Sequence, residues 1–319
     1  MRLSLLSSST IVYADERLAS YNFGEQHPFG PARYSAFYDE FIARGLNQRC
    51  IIGRAVIAER SSIELFHKTA YIKRVIEASK TGAGYLDHGD TPAVKGIYEA
   101  AALVVGSVLE GVDKLVKGEC QRAFIPIAGL HHASRDSAAG FCVFNDCGIA
   151  IEALRSRYNI RRVAYVDIDA HHGNGVFYAF EKDPNLIFAD MHEDGRFLYP
   201  GSGAANETGR GDAAETKLNI PMPPGADDAG FYAAWERVEA YLAEAEPEFI
   251  IFQCGADSIK GDPITNMAYS AEAHRHAASR LCKLADRYAG GRLLVLGGGG
   301  YNLHNIAAGW NAVVVALLA

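Results

Sequence analysis

Four short apolar runs, each stopping at a knot of polar residues, constrain this chain more than any other feature. AFIPIAG runs into Leu130-His131-His132, and RVAYV into Asp167-Ile168-Asp169-Ala170-His171-His172. FIIFQCGA runs into Asp257, and RLLVL into Gly297-Gly298-Gly299-Gly300-Tyr301. Short runs rich in Val, Ile and Phe read as buried strands. Longer stretches at helical period lie between such runs. Across Ala93–Lys117, residues Ile97, Ala101, Val104, Val105 and Leu109 keep to one stripe, and Asp228–Ala245 also reads as a helix. Strands alternating with helices imply a parallel sheet covered by helices. In such a sheet the ligand site lies beyond the carboxyl ends of the strands. If the four runs are neighbours, their tails bring four His, three Asp and one Tyr to one place.

Composition narrows the setting. The 319 residues are 49% hydrophobic and 22% charged, which are globular values. Lys plus Arg is 31 against 38 Asp plus Glu, a net charge of −7, and that sign disfavours a general nucleic-acid backbone binder. No apolar run reaches the ~18 residues of a membrane span. The start, MRLSLLSSSTIVYADE, has one Arg and a very short apolar stretch before IVYADE reads as a strand, which argues against a secretion leader. The six cysteines (Cys50, Cys120, Cys142, Cys147, Cys254, Cys282) form no CxxC pair. A chain this long needs no disulfide scaffold, so a reduced, cytoplasmic protein is expected. Neither a flexible linker nor an internal repeat divides it, and residues 1–319 read as one domain. Gly82–Asp90 and Phe197–Gly211 are Gly-rich and polar, so they read as long loops of the kind that often carry function.

The tails carry a definite chemistry. Asp169 and His171 are two apart, so in extended backbone they share a face. With Asp257 arriving from another strand, one imidazole nitrogen and two carboxylate oxygens make a three-ligand metal site with room for water. A divalent cation there lowers the pKa of a bound water towards ~7 and polarises a carbonyl. Zinc suits the site, but Fe(II), Co(II) and Mn(II) accept the same ligands. A single Asp at a strand end is usually a helix cap or turn former; three of them beside two His-His pairs are not explained that way. Hydrolysing an amide needs a base for the water and an acid for the departing amine, and His serves both near neutral pH. Adjacent His131 and His132 on an extended tail would point to opposite sides, each needing its own partner, with Asp167 and Asn174 the candidates. A carboxylate behind one imidazole favours the charged form, and an Asn behind the other leaves it more easily neutral. Tyr301 follows four glycines, which permit close backbone approach, and its hydroxyl could bond an oxyanion opposite the metal.

The segments GLHHASRDSAAGFCVFND, VAYVDIDAHHGNGV, CGADSIKGDP and LGGGGYN resemble the histone deacetylase family, including its bacterial acetoin-utilisation and acetylpolyamine amidohydrolase members. The match runs from IVYADE and His27-Pro28 to Trp310. The resemblance implies the single-domain α/β arginase/deacetylase fold, an eight-stranded parallel sheet flanked by helices. It implies metal-dependent hydrolysis of an N-acyl amide, typically acyl-lysine in a protein or peptide. Carried over, Asp169, His171 and Asp257 are the zinc ligands. His131 and His132 are the tandem catalytic histidines, backed by Asp167 and Asn174, with His132 the main base and acid, and Tyr301 polarises the substrate carbonyl. Phe141 and Tyr199 become tunnel walls, Gly140 lies between them and the histidines, Asp90 is the rim carboxylate that holds the substrate backbone, and Arg33 matches an internal-channel arginine. The family also binds structural potassium near Asp167, Asp169 and Asp190-Met191-His192.

Departures from the family pattern are informative. Asn174 stands where class I enzymes have Asp, a class II-like choice, and Tyr301 is present where class IIa members have His. Tyr199 takes a position more often held by Phe. Ile264 sits at the mouth where a polyamine-selective member would carry Glu, and it offers nothing to a cationic polyamine. The leading expectation is therefore a zinc-dependent lysine deacylase. The alternatives are an amidohydrolase of small acylated amines, a binuclear manganese ureohydrolase and an inactive acetyl-lysine-binding module. Gly173 cannot ligate, which counts against a second metal, and every matched catalytic position is filled, which counts against the inactive module.

Overall fold

The structure, a computed structural model, describes residues 10–319. The stretch weighed as a leader therefore falls mostly outside the described residues. The described residues form eight strands: β1 (Thr10–Val12), β2 (Ile51–Ile52), β3 (Arg122–Ile125), β4 (Val163–Asp167), β5 (Leu186–Glu193), β6 (Lys217–Met222), β7 (Phe249–Gln253) and β8 (Leu293–Leu296). They form one sheet in the order β2-β1-β3-β8-β7-β4-β5-β6. Every pairing is parallel. The helices are α1 (Ala32–Ala43), α2 (Arg60–Ile63), α3 (Thr69–Thr81), α4 (Ile97–Val116), α5 (Asp146–Tyr158), α6 (Asn174–Ala179), α7 (Asp228–Ala245), α8 (Ala271–Tyr288) and α9 (Leu303–Leu317). α8 and α1 pack on α9, and α4 packs on α5. The strands of the inner sheet are buried along their whole length, as expected where helices cover a parallel sheet.

The four runs singled out in the sequence are β3, β8, β7 and β4, and they are consecutive in the sheet. Their last residues are register partners: Ile125 with Leu296, Leu296 with Gln253, and Gln253 with Asp167. All four tails therefore leave the sheet at one level, which is the geometric reason they meet.

α4 starts at Ile97, four residues after the periodic stretch begins. Gly96 has φ of 82°, outside the helical range, and the Ala93 N–H is tied to the Gly84 carbonyl. Both predicted loops are free of α-helix and strand. The six cysteines are all unpaired. Among the described residues no helix is long and apolar enough to cross a membrane.

Candidate active site

Asp169, His171 and Asp257 converge. Their candidate ligand atoms all lie within 4.8 Å of one another, and all three residues are buried. β4 ends at Asp167, so Asp169 and His171 occupy a bend beyond the strand. Asp257 sits in a short 3-10 turn, Ala256–Ser258, that follows β7. Asp169 Oδ2 accepts hydrogen bonds from Gln253 Nε2 and the Gly299 N–H, both at 2.8 Å. Its Oδ1 lies 3.0 Å from His171 Nδ1. Asp257 Oδ1 accepts from the Ala170 N–H at 2.9 Å. Among the described residues no hydrogen-bond donor is directed at the buried Asp257 Oδ2, which lies 3.2 Å from His171 Nδ1. A buried carboxylate oxygen left without a donor is costly unless a cation faces it. One nitrogen and two oxygens at this spacing are a fitting donor set for a divalent cation. Glycine is required around them: a Cβ on Gly299 would fall 2.0 Å from Asp257 Oδ2, and one on Gly255 would fall 2.1 Å from Asp169 Oδ2. Burial disfavours a charged His171, but the Asp169 and Asp257 carboxylates outweigh it and raise its pKa to about 10. Burial and the Asp169 charge push Asp257 up to about 7.

The histidine pair departs from the sequence expectation in one respect. Between β3 and the pair the chain takes the left-handed conformation at Gly129, whose φ is 98°. The two rings converge instead of pointing to opposite sides, with their Nε2 atoms 3.1 Å apart and their centroids 4.1 Å apart. The expected partners are in place. His131 Nδ1 lies 2.8 Å from Asp167 Oδ2, and His132 Nδ1 lies 2.7 Å from Asn174 Oδ1. Burial opposes a charge on His131, yet Asp167 and Asp169 raise it to about 9. His132 is held well below the usual imidazole value by burial and by the neighbouring His131 and His171.

The expected tunnel residues surround this core. The Tyr199 ring lies 5.2 Å from His132, with Tyr199 45% exposed. Phe141 meets Tyr301 edge-on at 5.7 Å. A Cβ on Gly140 would lie 2.4 Å from His132 Cδ2, so only glycine fits between wall and imidazole. The space lined by His131, His132, Asp169, His171 and Tyr301 is about 10 Å³, roughly one water's worth. Burial and the Asp257 carboxylate keep the Tyr301 hydroxyl protonated by pushing its pKa well up. At the rim, Asp90 is raised to about 6 by burial and by the neighbouring Asp87 carboxyl. Ile264, 36% exposed, shares a cavity of about 510 Å³ with His27, Arg33 and Tyr301. Arg33 is buried, donating to the carbonyls of Gly300 at 2.8 Å and Gly298 at 2.6 Å.

Around the expected potassium position, Asp190 pairs with Asp167 in register. Asp190 Oδ1 lies 2.7 Å from His192 Nδ1, and Oδ2 accepts the Gly173 N–H at 2.8 Å. Asp167 Oδ1 accepts the Asp169 N–H at 3.0 Å. Each carboxylate oxygen of Asp167 and Asp190 thus has a hydrogen-bond partner. At Gly173 a Cβ would lie 2.8 Å from Asp167 Oδ2, so no second-metal ligand fits. Among the described residues the Asp169, His171 and Asp257 cluster is the one metal-capable group.

Several residues important to this geometry escape sequence reading. Gln253 Nε2 bonds Asp169 and the Gly129 carbonyl, so it ties a candidate ligand to the histidine tail. Tyr165 Oη donates to Asp167 Oδ2 at 2.6 Å. Asp146, fully buried, accepts the N–H groups of Gly129 and Leu130. Asn145 caps α5 and donates to the carbonyls of His131 and Ala133. Tyr165 and Gln253 lie inside apolar runs and Asn145 and Asp146 close one, positions that announce no chemistry.

Comparison with known proteins agrees with this geometry. Residues 27–317 match the histone deacetylase domain. The chain is 33% identical over 309 residues to the acetoin utilization protein AcuC of Bacillus subtilis, covering 94% of this chain and 79% of that protein. It is 33% identical over 307 residues to the histone deacetylase RPD3 of Saccharomyces cerevisiae, covering 93% and 69%. The crystal structure of the HDA15 HD domain superposes with a TM-score of 0.89 at 29% identity, covering 98% of this chain and 90% of that one.

Proposed function

The chain belongs to the histone deacetylase family, and on that premise we propose that it removes the acetyl group from N-acetyl-lysine in proteins or peptides, with one zinc ion held by Asp169, His171 and Asp257. At the coarser level it is a hydrolase acting on acetyl amides. The observation that carries the finer reading is the orphaned Asp257 Oδ2, 3.2 Å from His171 Nδ1, whose ring lies 5.8 Å from that of His132. When bound, the cation supplies Lewis-acid activation of water and carbonyl.

The remaining work falls to the protein. His132, oriented by a neutral amide at Asn174, takes the proton as water adds to the carbonyl carbon. His131, backed by the Asp167 carboxylate, holds positive charge beside it. The Tyr301 hydroxyl donates to the oxyanion as it forms. When the C–N bond breaks, the proton held at His132 passes to the departing amine, giving acetate and a free lysine. Phe141 and Tyr199 wall off water and hold the alkyl stem of the lysine. Asp90 at the rim accepts from the substrate backbone. Ile264 at the mouth presents no charge to a polyamine, which favours lysine over acetylated polyamines.

The test is turnover of a fluorogenic acetyl-lysine peptide beside acetylputrescine, with and without chelator. Peptide turnover that chelator abolishes and zinc restores is expected, with acetylputrescine slower. Faster acetylputrescine turnover would move the assignment to small acylated amines. No chelator-sensitive turnover of either would remove it.

A further inference from the structure

The tunnel wall Phe141 has φ of 65°, in the left-handed region that a bulky side chain rarely adopts. Gly140 before it, with φ of 52°, shares the turn. Such a conformation persists only where its surroundings over-determine it. Here both backbone polar groups of Phe141 are pinned by buried hydroxyls from distant segments. Its N–H donates to Thr91 Oγ1 at 3.1 Å. Its carbonyl accepts from Tyr21 Oη at 2.7 Å, and the same Tyr21 oxygen accepts the Val143 N–H at 2.9 Å. Tyr21 is 1% exposed and Thr91 fully buried. The Tyr21 ring is itself wedged edge-on against Phe23 and Phe29. The held Phe141 ring meets Tyr301 at 5.7 Å on one side and His27 at 4.6 Å on the other.

We propose that Tyr21 and Thr91 form a two-point clamp that holds Phe141 in its strained turn, and through it sets the tunnel width and the acyl chain the enzyme selects. They are positioning residues. This inference rests on the deacetylase reading for its substrate, but not for its geometry. With one hydroxyl removed, the turn at 140–143 relaxes towards negative φ at Phe141. The wall then withdraws from Tyr301 and His27, short acyl-lysine is held less well, and longer acyl chains gain room.

The zinc-loaded wild type, Tyr21→Phe, Thr91→Val and Thr91→Ser are compared on one peptide bearing acetyl, propionyl or butyryl lysine. For Tyr21→Phe and Thr91→Val, the expectation is a KM for the acetyl substrate raised roughly tenfold with kcat changed by less than about threefold. The butyryl-to-acetyl ratio of kcat/KM should rise, and zinc affinity should hold. Thr91→Ser, which keeps the hydroxyl, restores the wild-type ratio. A lowered Tm with an unchanged ratio would reduce the pair to a structural support and overturn the clamp. Crystal structures of wild type and Tyr21→Phe give a readout without turnover: Phe141 remaining at positive φ in the variant also overturns it. A wild type that turns over no acyl-lysine sinks the proposed function, while the crystallographic comparison still decides the clamp.

Discussion

Asp167 and Asn174 make two chemically identical imidazoles different. One is backed by a carboxylate at 2.8 Å and the other by an amide at 2.7 Å, so the charged form is favoured at His131 and the neutral form at His132. If His132 is the base, His132→Ala should keep full zinc stoichiometry while kcat/KM falls by about 10²–10⁴. Tyr301→Phe should lower kcat by about 10²–10³ with little change in KM, because its hydrogen bond strengthens as the oxyanion forms. Zinc loss from the first variant, or a pure KM effect in the second, would contradict the roles. These residues could be read from the sequence because their types have few other reasons to cluster. Gln253 could not be. An amide at a strand end announces no chemistry, and its bonds to Asp169 and the Gly129 carbonyl exist only after β3, β8, β7 and β4 are assembled in one sheet. The convergence of the two histidine rings was hidden for a similar reason. Each ring is held by a partner from another segment, Asp167 or Asn174, and alternation along a strand does not encode that.

At the scale of elements, strong periodicity predicted α7 and most of α4, whereas the start of α4 was decided by loop contacts at Ala93 and Gly96. β1, three residues long, overlaps the front of the IVYADE run read as a strand, whereas β2, two residues long, is too short to carry a pattern of its own. The link between α2 and α3 supplies a support that no motif revealed. His67 Nε2 accepts the N–H of Asn145, the residue that caps α5 and holds the histidine tail. Burial lowers the His67 pKa to about 3. The unfolded chain, with His near 6.5, therefore binds more protons than the folded one between those values. Stability is then complete above about pH 6.5 and is lost as the pH falls towards 3. In urea titrations the wild type should be more stable than His67→Phe near pH 7, by about 1 kcal/mol for the hydrogen bond. By about pH 4 the linkage removes on the order of 3 kcal/mol from the wild type, and the variant should overtake it. A gap that stays constant with pH would show that His67 keeps the same protonation on unfolding.

For the whole molecule, alternation alone gave a parallel sheet with helices, and motif resemblance gave eight strands. The order β2-β1-β3-β8-β7-β4-β5-β6 was not legible, because long crossovers leave no trace in local pattern. That order matters for stability as well as for chemistry. The site draws Asp169 and His171 from the tail of β4, Asp257 from that of β7 and the Gly299 N–H from that of β8, segments far apart in the chain. A cation seated there ties three strand tails together and neutralises two buried carboxylates, so it binds the folded state alone. Mass action then adds about 2.7 kcal/mol at a free cation concentration one hundred times Kd. For a domain of this size that is an increase in Tm of several degrees, at roughly 2–4 °C per kcal/mol. Chelation of the wild type should reverse the gain. Asp257→Ala should bind no zinc, lack the gain and be indifferent to chelator, because the carboxylate with the unpartnered oxygen is gone. Full zinc stoichiometry in Asp257→Ala, or a chelator-insensitive Tm in the wild type, would show that the convergence of these tails serves something other than a cation.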